Sequence, residues 1–290
     1  MSEEEFRVIV AVGPDGIHDG TLDLVAEEAV RRGTGVELLH VVHSLVAGPN
    51  DEQQASSLDA ALSEVGRAAV TSAASRLRER LDDRVPLDTQ VRFGPVATTI
   101  AERAPHDGLI VLERRDAGLV ERLLTMSVST RVAAHAHAPV LVVPATWEPG
   151  KGTPLPVTVG VDHPIDALGQ VAAALGYARD SGRPLTVLHA VWLAPAYQDI
   201  AFRNDTRGRW LHDAEIELEH VLADLPTDGV EVTREVIWGA PANALVGASL
   251  ASAVVVLSRR RERAVGSHLG PLTRTVLQHA AGPVLVVDRT

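Results

Sequence analysis

A chain of 290 residues with 38 acidic against 27 basic side chains has a formal net charge of −11. It therefore lacks the cationic surface that nucleic acid or anionic lipid requires. It contains no cysteine, which excludes disulfides, thiolate nucleophiles and thiolate-bound metals together. Hydrophobic residues make up 46% of the chain but aromatics only 3%, so its cores must be built from Val, Leu, Ala and Ile, as in parallel sheets covered by helices.

The first predicted element is a strand, Arg7-Val-Ile-Val-Ala-Val-Gly13, a short β-branched run ending on turn residues. Leu22, Val25, Ala26, Ala29 and Val30 then recur at helical spacing and Gly33 follows, which predicts an amphipathic helix with a glycine cap. Strand two contains Leu38-Leu-His40-Val-Val. A polar stretch from Ser44 to Asn50 leads into a long helix over 51–81, carried by Leu58, Leu62, Val65, Leu77 and Leu81, with Pro86 beyond its end. Strand three lies near Val91, a short helix over 96–104, strand four at Leu109–Leu112, a helix over 127–135, and strand five at Val140–Val143.

The chain then repeats itself. Pro139-Val-Leu-Val-Val143 returns as Pro283-Val-Leu-Val-Val287, 144 residues later. Val157-Thr-Val-Gly-Val-Asp162 answers the first strand, and Val187-Leu-His189-Ala-Val answers the second. Val236-Ile-Trp-Gly239-Ala answers Val91-Arg-Phe-Gly94-Pro, and Val254-Val-Val-Leu257 answers Leu109-Ile-Val-Leu112. Helices are predicted over 168–179, 210–225, 242–250 and 272–280. A period near 145 is too long for a solenoid, so each copy is read as a whole domain, 1–145 and 155–290. Between them, 144–156 carries four prolines and two glycines and continues neither helix nor strand. Alternating strands and helices, joined by crossover-length connections, predict a doubly wound parallel sheet in each half.

Few residues suggest chemistry. No Gly-x-Ser-x-Gly elbow, Walker loop or His-Glu-x-x-His occurs. His135 and His137 stand two apart and do not share a helix face as i, i+4 ligands would. His40 and His189 fall at equivalent points of strand two and are read as structural. The run Arg259-Arg-Arg-Glu-Arg263 is read as a solvated surface loop. The Met-Ser-Glu-Glu-Glu-Phe opening lacks the regions of a signal peptide, and no apolar run approaches the roughly 18 residues of a bilayer span, so a cytoplasmic location is expected.

Five motifs, in order and in both copies, resemble the universal stress protein family, and in particular its tandem two-domain members. Gly160-Val-Asp162 resembles the end of the family's first strand, and Leu188-His-Ala-Val its second. Gly239-Ala-Pro-Ala242 resembles the family's Gly-x-Pro-Ala, and the Pro-Val-Leu-Val-Val endings match in both copies. The resemblance covers nearly the whole chain. It implies two five-stranded parallel sheets in order 3-2-1-4-5, of the adenine nucleotide alpha hydrolase-like kind. Their ligand crevice lies where the order reverses between strands one and four.

In nucleotide-binding members an Asp ends strand one, and G-x-x-G-(x)9-G-[ST] follows strand four, bringing backbone N–H groups and a helix N-terminus to the phosphates. In the first copy Gly13 replaces the Asp, although Asp15 lies two residues on. Glu113, Asp116 and Met126 stand where the three glycines belong, leaving Ser127 as the remnant. Carboxylates beside phosphates repel them, so this site is expected to be dead for ATP. The second copy keeps Asp162, Gly270 and Ser258-Arg259, but Leu257 and Arg260 replace two glycines, and Pro271 supplies neither N–H nor hydroxyl.

The candidate nucleotide contacts are thus Asp162, Ala190, Arg259 and Gly270. No cofactor is expected to be required, and ATP, if held at all, belongs to the second copy. The leading expectation is a non-catalytic stress-response or regulatory module with no metal. Its rivals are an ATP sensor using the second domain and a hydrolase of the adenine-nucleotide fold group. The resemblance also implies an intrachain pseudo-dimer through the fifth strands, Val140–Val143 and Val284–Val287, and is compatible with a further homodimer of the tandem chain.

Overall fold

The computed structural model describes residues 6–43, 52–115, 128–150, 154–162, 167–193, 206–223, 225–262 and 266–288. The chain divides into two compact units, Met1–Pro149 and Gly150–Thr290.

In the first unit the elements run β1 (Phe6–Ala11), α1 (Asp19–Arg32), β2 (Gly35–Val42), α2 (Glu52–Arg78), β3 (Leu87–Phe93), α3 (Val96–Ala101), β4 (Leu109–Arg114), α4 (Val128–His135) and β5 (Val140–Pro144). The strands are parallel, in order β3-β2-β1-β4-β5, so the order reverses between β1 and β4 as expected. Helix α2 packs on β2 and β3 and against α1, whereas α3 packs on β2 and against α4. Covered on both faces, β2 is buried along its whole length, so its apolar residues do not alternate, and its two polar side chains are paired, Glu37 with Arg103 and His40 with the Val12 carbonyl. Gly33 closes α1 in the left-handed region (φ 61°), its N–H bonding back to Ala29 and Val30 carbonyls.

The second unit repeats this plan. It contains β6 (Val157–Val161), α5 (Leu168–Asp180), β7 (Leu185–Val191), α6 (Thr206–Ala223), β8 (Val232–Trp238), α7 (Pro241–Ala248), β9 (Val254–Glu262), β10 (Gly266–His268), α8 (Pro271–His279) and β11 (Val284–Asp288). Its parallel order is β11-β9-β6-β7-β8. Gly182 (φ 63°) ends α5 as Gly33 ends α1.

Three boundaries correct the sequence reading. Helix α6 begins at Thr206 rather than 210, α3 stops at Ala101 rather than 104, and α2 stops at Arg78 rather than 81. The larger correction concerns the arginine run. Residues Arg259 to Glu262 form no loop, because β9 continues to Glu262 and pairs antiparallel with β10, Glu262 with Gly266 and Arg260 with His268. A ladder formed only by backbone groups needs no apolar pattern, so a charged hairpin leaves no periodicity to read.

Candidate functional site

The first unit's crevice is built at the carboxyl ends of β1 and β4. Glu113, near the end of β4, has a side chain 5% exposed and faces the start of α1. Its Oε2 accepts the His18 backbone N–H (2.8 Å) and the Thr21 hydroxyl (3.1 Å), and its Oε1 lies 2.9 Å from His18 Nδ1. His18 is the N-cap of α1 and makes no side-chain cap bond of its own; a carboxylate from a neighbouring strand takes one orphan backbone donor of that helix end, together with the Thr21 hydroxyl.

Arg115, next beyond β4, turns back across the crevice. Its Nη1 donates to Asp15 Oδ2 at 2.5 Å, Nη2 to the Gly16 carbonyl at 2.6 Å, and Nε reaches Glu113 Oε1 at 3.4 Å. A Cβ on Gly13 would lie 3.4 Å from Arg115 Nη2, so the guanidinium lies directly against the position that ends strand one. The crevice of this unit therefore holds an internal ion-pair network in which two carboxylates and one guanidinium satisfy each other and the α1 terminus. Asp116, Met126 and Ser127 lie outside the described residues.

The second unit is arranged differently at equivalent points. The β1–β4 ladder extends to Ala11 with Leu112, whereas β6–β9 stops at Val159 with Val256. The fork opened there is filled by Gln170 of α5, the counterpart of Thr21. Its buried amide donates to the Gly160 carbonyl (2.8 Å) and the Val256 carbonyl (3.2 Å). Gly160 lets the Leu245 side chain pack close at this point, since a Cβ would approach its methyl to 2.6 Å and force it to shift.

The four candidates in this unit stand on or beside four different elements, β6, β7, β9 and α8. Asp162 follows β6 and is exposed, and half-buried Ala190 stands one residue beyond the registered pair Val161 with His189. The two therefore share the carboxyl edge of adjacent strands. Gly270 is the N-cap of α8 in extended conformation (φ −63°), with nothing within 4 Å of a Cβ, so neither space nor backbone angle demands glycine there.

Arg259 stands on β9, beyond the end of its ladder with β6. Its side chain is 0% exposed, and Nε donates to Asp288 Oδ1 at 2.5 Å across the β9–β11 pair, on the opposite side of β9 from β6. A guanidinium held there bridges strands.

His40 and His189 do equivalent work in the two units. Nδ1 of each bonds the carbonyl that ends strand one, Val12 at 2.8 Å and Val161 at 2.9 Å, which ties the tips of strands one and two together. No group of His, Asp and Glu among the described residues could hold a metal ion.

A family model for the universal stress protein family matches residues 6–144 and again 155–288. This chain belongs to the universal stress protein family. A universal stress protein of Mycobacterium tuberculosis is 33% identical over 206 residues, covering 68% of this chain and 64% of that relative's own length. A second, from Mycolicibacterium smegmatis, is 26% identical over 299 residues and covers 99% of this chain and 98% of the relative. Among solved structures, a universal stress protein from Archaeoglobus fulgidus superposes with a TM-score of 0.62 at 15% identity, covering 98% of this chain and 99% of that one, a likeness of fold.

Within this universal stress protein, sequence reasoning missed Gln170, His18 and Arg115. Gln170 and Thr21 stand at matching points of the repeat, and that alignment was the signal available for finding them. It also passed over an aromatic group at the rim of the second sheet. There Trp210 stacks on Trp238 (6.1 Å between centroids), Arg207 lies 5.6 Å from the Trp238 ring, and Trp192, beyond β7, is 48% exposed.

Proposed function

We propose that this universal stress protein is a non-catalytic stress-response and regulatory module of the cytoplasm that requires no cofactor. The observation that carries the reading is the Glu113–Arg115–Asp15 network. A triphosphate entering the first crevice would meet two carboxylates and would have to break three guanidinium contacts to gain one cation. In the second unit Pro271 removes an N–H from the first turn of α8, and Arg259 is bound to Asp288.

The second reading, an ATP sensor confined to the second domain, is favoured by exposed Asp162 and the neighbouring backbone at Ala190. Titration of the full chain with magnesium-ATP separates the two. We expect no turnover and no ATP binding that depends on Asp162, so that Asp162→Ala is indistinguishable from the parent. Saturable binding lost in Asp162→Ala would transfer the function to the sensor reading, and turnover lost in the same variant would make the protein a hydrolase.

The proposal extends to assembly. The apolar runs Val140–Val143 and Val284–Val287 would each leave an aggregation-prone edge if unpaired, and joining them within one chain as a pseudo-dimer removes both edges. A homodimer of tandem chains would then form through other surfaces.

A further inference from the structure

At the opposite end of the first sheet from the crevice, a cavity of about 590 Å³ opens beneath the starts of β1 and β2 and the turn before β3. Arg7, Arg32 and Arg84 line it, together with Gly33, Thr34 and Pro86, and no carboxylate is among its walls. In a chain of net charge −11, three guanidiniums around one cavity are not what composition supplies by default.

Among the described residues the donors are largely unoccupied. Arg7 engages Asp107 through Nη1 alone, at 2.5 Å, which leaves Nε and Nη2. Arg32 engages Glu28 through Nε and the Asp107 carbonyl through Nη1, which leaves Nη2. Among the described residues the Arg84 guanidinium has no hydrogen bond or ion pair. The carboxylate of Asp82, two residues before it, takes the backbone N–H of Arg84. Glu28 is already shared by Arg31 and Arg32.

The duplication supplies an internal control. The second unit keeps the surrounding frame, with Gly182 for Gly33, Ala178 for Ala29 and Val230 for Val85, and the turn bond from Val85 N–H to Asp82 carbonyl recurs from Val230 to Thr227. The three arginines, however, are replaced by Pro156, Ser181 and Gly229, and the one arginine nearby, Arg183, stands in the place of Thr34 and reaches the Leu155 carbonyl. The frame is thus kept without the charge, so the arginines are not needed to build that frame.

We infer that the Arg7–Arg32–Arg84 cavity binds a small oligophosphate. Guanidinium forks match phosphate oxygens in pairs, and the volume is that of an ordinary small-molecule site. The binding depends on charge and weakens as salt rises, because its donors are partly exposed.

The test is calorimetric titration of the full chain at low ionic strength with inorganic pyrophosphate, and with citrate in parallel. The expected result is saturable pyrophosphate binding at one site per chain, citrate weaker, and affinity reduced by roughly tenfold or more in Arg84→Ala. Arg84 is exposed and its side chain bonds nothing, so that variant keeps the fold; Arg84→Lys should retain part of the affinity. Absence of saturable binding, or binding unchanged in Arg84→Ala, overturns the inference. Citrate binding as tight as pyrophosphate overturns the phosphate assignment. Because the cavity belongs to the first unit and Asp162 to the second, Asp162→Ala should leave pyrophosphate binding unchanged, so this test and the ATP titration fail independently.

Discussion

Gly66 sits in the middle of the 27-residue helix α2, where alanine would ordinarily add about 1 kcal/mol of stability. Here the sign reverses. A Cβ at Gly66 would come within 2.4 Å of His40 Cδ2, and that ring is fixed by its bond to the Val12 carbonyl. Gly66→Ala should therefore destabilise the protein by about 1–3 kcal/mol in urea unfolding. In a His40→Ala background the same change should become neutral or stabilising, and destabilisation of equal size in both backgrounds would refute the contact.

Asp19 gives a pH-dependent case. The hydrogen bond from Arg76, reinforced by the charges of Arg76 and Arg80, holds its carboxyl below the usual 3.8 against the opposing effect of desolvation. A folded-state pKa depressed in this way contributes stability above 3.8 that is lost as pH falls through the lowered value. The side chain is 65% exposed, so solvent screening limits the contribution to within about 1 kcal/mol. Asp19→Asn should be slightly less stable than the parent at neutral pH and equal to it in strong acid. A gap that does not close below 3.8 would contradict this cause.

At the scale of elements, the start of α1 depends on β4 for its cap. Glu113→Ala would leave the buried Thr21 hydroxyl and the His18 N–H without an acceptor and would free Arg115 from one partner. The expected cost is about 1–3 kcal/mol, with hydrogen exchange accelerated at the first turn of α1 before the rest of the helix. Exchange that rises uniformly along α1 would mean that the cap is not local.

The same elements show what could be read from the chain. Helix α1 was legible because Leu22, Val25, Ala26 and Ala29 carry the 3.6-residue period and Gly33 closes it. The succession of five strands was legible because each copy repeats it, and their order in the sheet followed from the family resemblance. The β9–β10 hairpin was not, since Arg260, Arg261 and Glu262 have no apolar alternation. Nor was the Arg259–Asp288 bridge, whose partners are 29 residues apart and meet only once β11 has paired with β9. Glu113 could be recognised as a departure from the glycine pattern. That it caps α1 could not, because the cap is reached across 95 residues of chain.

For the molecule as a whole, duplication followed by divergence gives one coherent account. Both copies keep what the fold needs: the left-handed glycines Gly33 and Gly182, the histidines that tie strand one to strand two, and the apolar fifth strands. They differ where a ligand would sit. The first crevice is occupied by its own ion pairs, and the second is forked and bridged by Gln170. The most direct measurement is the nucleotide content of protein purified without added nucleotide, denatured, and analysed by mass spectrometry of the released small molecules. The account predicts no stoichiometric adenine nucleotide. About one equivalent of ATP or ADP per chain would contradict it.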